Sequence, residues 1–432
     1  MTLPTPSRLL RRLVLLDKGE ASALLWSTAY FFLLLFGFYL LRPVREAIGI
    51  ARGADKLPWL MTGTLLAMVL ANPAFATLVS KLPRRRFIPR VYRFFALNML
   101  AFFLAFRFLP HRGGAALGYA FYIWLSVFNL FVVSVFWGLM SDVWSEGQGK
   151  RLFGFIATGG TLGAIAGAAL TGALTKGFQL GGLPVKVDPL SLLLVSMLTL
   201  ELAVQCVKRL AAIFQLGDTA HGSREPGPGP LEGLRLIATS RYLQLICAYM
   251  LLFTITSTFL YLQQGSIVER AFSGTAARTA AFARIDLWVN VLTLATQLFL
   301  TGRLITALGI PFVLAILPVL TLAGFGALWI WPTFGVMALF QVLRRGLHYA
   351  VDRPARELLY IPLGPEERYK SKPFIDTFVY RGGDLLGVWA PTALAVVAVP
   401  VALAAVGCSG LWIGSSLILG RHVKTKAAAD PG

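Results

Sequence analysis

The sequence has 432 residues, of which 56% are hydrophobic and 14% are charged, and its mean hydropathy is +0.70. A soluble domain carries about 25% charged residues, so this composition excludes a soluble fold. The net charge of +20 does not indicate nucleic-acid binding, because the basic residues cluster in short loops between apolar segments, as the positive-inside rule predicts.

Apolar segments long enough to cross a hydrocarbon layer of about 30 Å as helices recur from one end of the chain to the other. The first follows a basic stretch but lacks a small-residue cleavage site, so we expect an uncleaved helix. About twelve transmembrane helices are predicted. Their positions are 23–45, 57–80, 91–109, 116–140, 152–175, 189–209, 240–264, 282–303, 309–330, 333–351, 373–394 and 398–419.

The longest polar connection lies between the sixth and seventh spans and contains HGSREPGPGP. Its Gly and Pro content predicts a flexible linker rather than a helix. Basic residues concentrate in alternate loops, which predicts an inner-membrane protein with both termini in the cytoplasm. The predicted parts are a six-helix half at 1–209, a linker at 210–239, a second half at 240–420 and a cytoplasmic tail at 421–432.

Two stretches suggest that the halves are related. GKRLFGFIATGGTLGA follows the fourth span and YKSKPFIDTFVYRGGDLLGV follows the tenth. Each leads from a basic loop into a glycine pair, Gly159-Gly160 or Gly382-Gly383, and then a third glycine, Gly163 or Gly387. Duplication would give two pseudo-symmetric six-helix bundles, the arrangement of major-facilitator transporters. The alternative is that small residues merely let helices pack closely.

Ionisable groups within the predicted spans are the candidate functional residues, because each costs roughly 2.5 to 3.5 kcal/mol to insert unless it faces a cavity or a partner. In the tenth span, Gln341, Arg344 or Arg345, His348 and Asp352 fall on one helical face. We interpret this face as a surface for an anionic substrate, since arginine suits carboxylate or phosphate. Alternatively, both arginines snorkel to the cytoplasmic headgroups.

The eleventh span carries Asp376, Tyr380 and Asp384 at four-residue spacing, with Arg381 close to Asp384. Three interpretations stay open: a structural ion pair, contact with substrate, or proton coupling through a desolvated carboxyl such as Asp384.

Polar residues of other spans complete the candidate set. The first span ends with Arg42, Arg45 and Glu46 beside Pro43, which indicates either an outer gate or an interfacial anchor. Weaker candidates are Asn129 and Trp137 in the fourth span and Asp286 and Asn290 in the eighth.

Two corresponding cytoplasmic loops contain both acidic and basic residues. Ion pairs between the halves could close a cytoplasmic gate there, and the alternative is solvated loop charge. The candidate gate residues are Asp142, Lys150, Arg151, Asp352, Arg353 and Arg356.

No catalytic pattern appears in the sequence. GxxxxGK[ST], HExxH and GxSxG are missing and the four histidines are scattered, so we expect no enzyme, no metal and no cofactor.

Three longer motifs, RPVREAIGIARGADKLPWL, SVFWGLMSDVWSEGQGKRLFG and FIDTFVYRGGDLLG, resemble bacterial major-facilitator proteins related to the ATP:ADP antiporter family. The resemblance covers essentially the whole membrane domain. It implies the fold, the transport mode and an anionic substrate more directly than nucleotide exchange, because Met61-Thr62 stands where those exchangers would have a lysine.

The predicted function is secondary active transport of a small anionic organic solute by a monomer in the lipid bilayer, through alternating access. The alternative is a non-transporting scaffold of the same fold, or a lipid or envelope assembly factor.

Overall fold

The computed structural model describes residues 20–81, 84–109, 114–180, 183–185, 187–215, 230–360, 362–396 and 401–429, and these are almost entirely helical. The helices of the first part of the chain are α1 Glu20–Gly49, α2 Leu57–Lys81, α3 Arg84–Phe108, α4 Gly114–Val143, α5 Glu146–Lys176 and α6 Leu192–Ile213. A short antiparallel hairpin, β1 Phe178–Leu180 with β2 Leu183–Val185, lies between α5 and α6.

The second part begins with a short helix, α7, and continues with long ones. Their bounds are α7 Pro230–Thr239, α8 Arg241–Ala271, α9 Thr275–Phe299, α10 Thr301–Ile330, α11 Phe334–Leu347, α12 Arg353–Glu357, α13 Pro365–Phe374, α14 Tyr380–Val396 and α15 Val401–Ala429. Two five-residue π-helices, His348–Asp352 and Ile375–Val379, join α11 to α12 and α13 to α14.

Where they are described, all twelve predicted spans lie mainly in helix, which confirms the all-α membrane class; residues 398–400 of the last span lie outside the described residues. Within the described ranges, eight helices are long and apolar enough to cross a membrane by length and composition alone. They are Glu20–Gly49, Arg85–Phe108, Gly114–Val143, Arg151–Lys176, Pro189–Ile213, Arg241–Ala271, Thr301–Ile330 and Leu403–His422. The other predicted spans, 57–80, 282–303, 333–351 and 373–394, also lie mainly in helix.

The prediction of a linker without helix was wrong at its C-terminal end. Residues 230–239 form α7, which starts at Pro230, a residue suited to a first helical turn. Leu236 and Ile237 of α7 pack against the apolar core formed by α8 and its neighbours, and this burial favours the helix. Most of the Gly- and Pro-rich stretch, 216–229, lies outside the described residues. The predicted tail is also helical as far as Ala429.

Contacts divide the chain into two units. Unit 1 contains Met1–Arg52, Gly63–Gly222 and Phe272–Leu287, and unit 2 contains Gly53–Thr62, Ser223–Ala271 and Trp288–Gly432. The main boundary falls within the predicted linker. Two short segments, 53–62 and 272–287, group with the other half of the sequence.

In unit 1, α5 packs along α1 through glycine. A Cβ atom added at Gly159 would lie 2.6 Å from the carbonyl oxygen of Thr28, and one at Gly167 would lie 2.6 Å from that of Phe36. Since contacts under 3.0 Å are not tolerated, only glycine permits this approach of the two helices.

Unit 2 repeats the arrangement, with α14 packed along α8. A Cβ atom at Gly387 would lie 3.0 Å from Cα of Ile255, and one at Gly383 would lie 3.0 Å from Cβ of Thr254, whereas a Cβ atom at Gly382 meets nothing within 4 Å. The contacts pair Gly159 with Gly383, one residue out of the predicted alignment, and Gly163 with Gly387, as predicted. The glycines therefore let helices pack closely in both units, and duplication of the two halves stays a prediction.

Candidate functional site

A π-helix interrupts the helix of the tenth predicted span. At His348–Asp352 the wider turn changes the backbone hydrogen-bonding pattern, and side chains of α9 and α10 bond carbonyl groups there. Thr301 donates its hydroxyl to the carbonyl of Ala350 (2.7 Å), and Gln297 donates its amide to that of Tyr349 (3.3 Å). Such π-bulges are frequent at functional sites, so the residues around this one are candidates for a functional site.

The predicted polar face of this span exists. Its four residues are all buried in unit 2: Gln341, Arg344, His348 and Asp352. They face other helices of the same unit, and Gln341 donates a hydrogen bond to Gln264 of α8.

Arg344 does not snorkel, since its residue exposure is 1%. Its Nε donates to the hydroxyl of Thr321, and its Nη2 donates to the carbonyl of Phe253 and the hydroxyl of Thr256, all at 3.1 Å. The guanidinium also lies 5.3 Å from the Phe253 ring centroid, a cation-π distance. These contacts join α11 to α8 and α10 and give Arg344 a structural explanation.

His348 and Asp352 form the centre of a charged network in unit 2. The His348 Nδ1 lies 3.0 Å from Oδ2 of Asp352, and Tyr249 donates its hydroxyl to Oδ1 of the same carboxylate. The imidazole stacks on Phe253 at 4.3 Å between centroids. Arg356, 9% exposed, lies 5.9 Å over the same phenyl ring. We call Tyr249, Phe253, Arg344, His348, Asp352 and Arg356 the π-helix cluster.

The remaining charged candidates of unit 2 are less buried. Arg345 is half-buried on α11 next to Arg344. In the eleventh predicted span, Nη1 of Arg381 lies 3.4 Å from Oδ2 of Asp384, with 40% and 21% of the two side chains exposed. Tyr380 is half-buried under the Arg381 guanidinium, and Asp376 is exposed within the second π-helix.

At the end of α1, unit 1 contains a second charged group. Arg42 forms an ion pair with Asp286 of α9, whose side chain is 4% exposed. Arg45 pairs with the adjacent Glu46 and donates to the Ser126 hydroxyl of α4 at 2.8 Å. We call Arg42, Arg45, Glu46, Ser126 and Asp286 the α1 cluster.

Three weaker candidates lie on α4 and α9. Asn129 and Trp137 are half-buried, and Trp137 contacts Phe31 and Phe153 edge-on at 5.5 Å. Asn290 is buried in α9.

The predicted gate residues have different environments. In unit 1, Nη2 of Arg151 lies 3.0 Å from Oε1 of Glu20, which also accepts a hydrogen bond from Gln148 at 2.8 Å. Asp142 is half-buried near the end of α4, and the side chain of Lys150 lies outside the described residues. In unit 2, Asp352 and Arg356 are buried, whereas Arg353 is exposed. Arg151, Asp352 and Arg356 therefore have contacts within their own units, and closure by pairs between the halves stays a prediction.

Sequence reasoning missed the partners of these charges. Three of these partners lie within apolar helices, Tyr249, Thr256 and Thr321, and Glu20 lies at the start of one. A single hydroxyl or a terminal carboxylate in such a helix is a weak sequence signal. The first three partners are threonines or tyrosines with nearly complete burial, and such residues commonly bond across helices in membranes.

No protein-family model matches the chain. Its fold is similar to that of a bacterial homolog of the human lysosomal transporter Spinster, solved in an inward-facing and unoccupied conformation, with a TM-score of 0.54, 14% identity and coverage of 95% of this chain and 96% of that one. Two structures of the nucleoside transporter NupG, one of a mutant, give TM-scores of 0.58 and 0.57 at 12% identity, covering 93% of this chain and 99% and 98% of theirs.

These comparisons establish the fold, a multi-pass helical architecture shared with those transporter structures. They do not support the resemblance to the ATP:ADP antiporter family.

Proposed function

We propose that this protein is a secondary transporter that moves a small organic solute across the bacterial inner membrane by alternating access. The observation that carries the proposal is the similarity of fold to transporter structures along 93% to 95% of the chain. The sequence has no ATP-binding motif, so a solute or ion gradient would supply the energy.

The solute is proposed to be anionic, with Arg345 and Arg381 as its contacts. Arg344 is fully buried and bonded to three protein groups, whereas Arg345 on the neighbouring face is half-buried. The Arg381 side chain is 40% exposed, and its contact with Asp384 is long, with 3.4 Å between Nη1 and Oδ2. A guanidinium in either place suits a carboxylate or phosphate, and Asp384 is the candidate for proton coupling.

Uptake into proteoliposomes tests the proposal. Radiolabelled uridine and uridine monophosphate form a matched pair that differs in the phosphate, and sugar phosphates and peptidoglycan fragments extend the panel. We expect saturable uptake of a phosphorylated probe. Arg345→Ala should reduce this uptake about tenfold or more, because the variant loses a charge-assisted hydrogen bond to the probe, and Arg345→Lys should restore part of it. Arg303→Ala, on an exposed arginine at the start of α10, is the control.

The outcomes separate the two parts of the proposal. Saturable uptake of uridine alone, unaffected by Arg345→Ala, would refute the anionic substrate but would still support a transport function. No saturable uptake or exchange of any probe would favour the predicted alternative, a scaffold that keeps the fold without transporting.

A further inference from the structure

An ion pair lies on the outside of unit 1, between α3 and α6. Arg93 donates from Nε and Nη2 to the two carboxylate oxygens of Glu201, at 3.1 and 2.9 Å, and Gln205 donates to Oε1 of Glu201 at 2.8 Å. The Arg93 and Glu201 side chains are 52% and 44% exposed. This bidentate pair therefore does not belong to the interior of the bundle.

The exposed side of Glu201 faces the hydrocarbon, whereas Arg93 is the third residue of the predicted span 91–109 and contacts the carboxylate from that end of α3. Glu201 is the tenth of the 22 residues of α6, so it lies near the middle of a helix long and apolar enough to span the membrane. Large apolar side chains flank the pair and are exposed on the same two helices: Phe94 60%, Leu97 65%, Leu198 61% and Leu202 54%. We call these four residues, with Arg93, Glu201 and Gln205, the α3/α6 surface.

A carboxylate this far inside a span almost always faces a bundle interior or a water-filled cavity, because exposure to lipid is costly. Pairing reduces this cost only in part, since about half of each side chain remains uncovered. In addition, α3 is the least buried of the eight apolar helices, with 17% of its spanning window inside the structure. Both observations indicate that another protein surface covers this face in the membrane.

In place of the monomer predicted from the sequence, we propose that the α3/α6 surface binds a second copy of this chain to form a two-fold symmetric homodimer. The surface is complementary to itself in charge, because it carries a base, an acid and an amide side by side. A two-fold axis along the membrane normal brings identical surfaces face to face and keeps both subunits in the same orientation. Arg93 then approaches Glu201 of the partner subunit, and the reciprocal contact forms at the same time.

The dimer completes the coordination of both charges and removes them from lipid. The flanking leucines and Phe94 interdigitate around them, so that van der Waals packing adds to the electrostatic contact, as expected where no hydrophobic effect drives helices together. This inference is independent of the substrate and of the transport proposal.

Cross-linking in vesicles tests the position of the interface. In a background where Cys206, Cys247 and Cys408 are replaced by alanine, Leu97→Cys is compared with Leu411→Cys on α15, since both leucines are exposed to a similar extent, 65% and 68%. With a short bis-maleimide reagent at low protein density, we expect a covalent dimer from Leu97→Cys and little from Leu411→Cys. Equal yields at the two positions would count against the proposal.

A charge-reversal experiment tests the chemistry, with subunit counting by single-molecule photobleaching in vesicles as the measurement. Arg93→Glu alone and Glu201→Arg alone each bring like charges together at both contacts, and we expect single-step bleaching. When the two variants are mixed, each contact between the two subunits again joins opposite charges, so mixed dimers that bleach in two steps should form. The double variant Arg93→Glu/Glu201→Arg should dimerise like the original chain.

Two results would overturn the proposal. One is single-step bleaching of the unmodified chain, which would mean that the ion pair serves only the packing of α3 on α6. The other is two-step bleaching of both single variants without any preference for mixed pairs. Thermal unfolding midpoints of each variant show whether it is folded, and the mixing experiment keeps the test decisive where a single variant is less stable.

Discussion

Arg344 and Arg345 are neighbours in sequence with different surroundings. One residue along a helix is a rotation of about 100°, so adjacent side chains lie on different faces. Arg344 turns into unit 2, where a threonine hydroxyl from each of two helices and a backbone carbonyl accept its hydrogen bonds. Arg345 lies on a less buried face of α11. Sequence spacing alone left either arginine as the member of the polar face, and burial assigns Arg344 to it.

Replacing Arg344 should destabilise the protein strongly. Arg344→Met keeps an unbranched apolar chain but removes the guanidinium with its three hydrogen bonds, which in membrane proteins contribute roughly 0.6 to 1.7 kcal/mol each, so we expect a loss of about 2 to 5 kcal/mol. The unfolding midpoint in detergent measures this loss. Arg303→Met, at an exposed arginine, should change the midpoint little, and equal midpoints for the two variants would contradict the structural role.

At the level of the helices, the glycine contacts of α5 on α1 and of α14 on α8 define the two bundles. Both rely on the missing side chain, because an added Cβ atom would enter the backbone of the facing helix. Each of these helices also contains a glycine with open space around it, Gly154 in α5 and Gly382 in α14. The chain therefore offers a matched control for each contact.

Gly159→Ala and Gly387→Ala should each lower stability by about 1 to 3 kcal/mol, the usual cost of overpacking. Gly154→Ala and Gly382→Ala should be neutral or stabilising by up to about 1 kcal/mol, since alanine is the better helix former. Thermal unfolding of the four variants measures the difference. Similar losses at all four positions would show that helix propensity, and not close approach, decides the effect.

The π-helix at His348–Asp352 depends on a hydroxyl from another helix. Thr301→Val has nearly the same shape but leaves the Ala350 carbonyl without that donor, which should cost about 1 kcal/mol. Hydrogen exchange of the amides at 350–353 should become faster. Thr306→Val is the control, because the Thr306 hydroxyl bonds only carbonyls of its own helix, Gly302 and Arg303. Unchanged exchange in Thr301→Val would show that the π-helix does not need this hydrogen bond.

Much of the architecture could be predicted from the sequence, because the length of an apolar segment directly indicates whether it can form a membrane-spanning helix. Each predicted span is mainly helical where it is described, and the spacing of three or four residues from Gln341 to Asp352 predicted one face correctly. The environment of that face could not be predicted, since it depends on which helices pack against α11. The π-helix at His348–Asp352 and α7 were also missed, because tertiary contacts stabilise them: hydrogen bonds from Thr301 and Gln297 in the first, and the packing of Leu236 and Ile237 in the second.

At the scale of the whole molecule, α9 belongs to both units. Residues up to Leu287 group with unit 1 and those from Trp288 with unit 2, and the ion pair of Asp286 with Arg42 of α1 lies just before that boundary. This pair joins a helix of the first half of the sequence to one of the second half. Both residues belong to unit 1. If the two six-helix halves of the sequence rock against each other, as the proposed transport requires, this pair has to break and form again in every cycle.

Locking this contact should therefore stop transport while leaving the fold intact. In a chain without its own cysteines, Arg42→Cys/Asp286→Cys bridged by a short reducible bis-thiosulfonate should lose uptake of the transported probe and regain it on reduction. Glu20→Cys/Arg151→Cys, at an ion pair between α1 and α5 of the first half, should be bridged as readily and keep its uptake. Uptake that persists with the Arg42–Asp286 position fully bridged would mean that α1 and α9 move together, and the moving boundary would then have to lie elsewhere in the molecule.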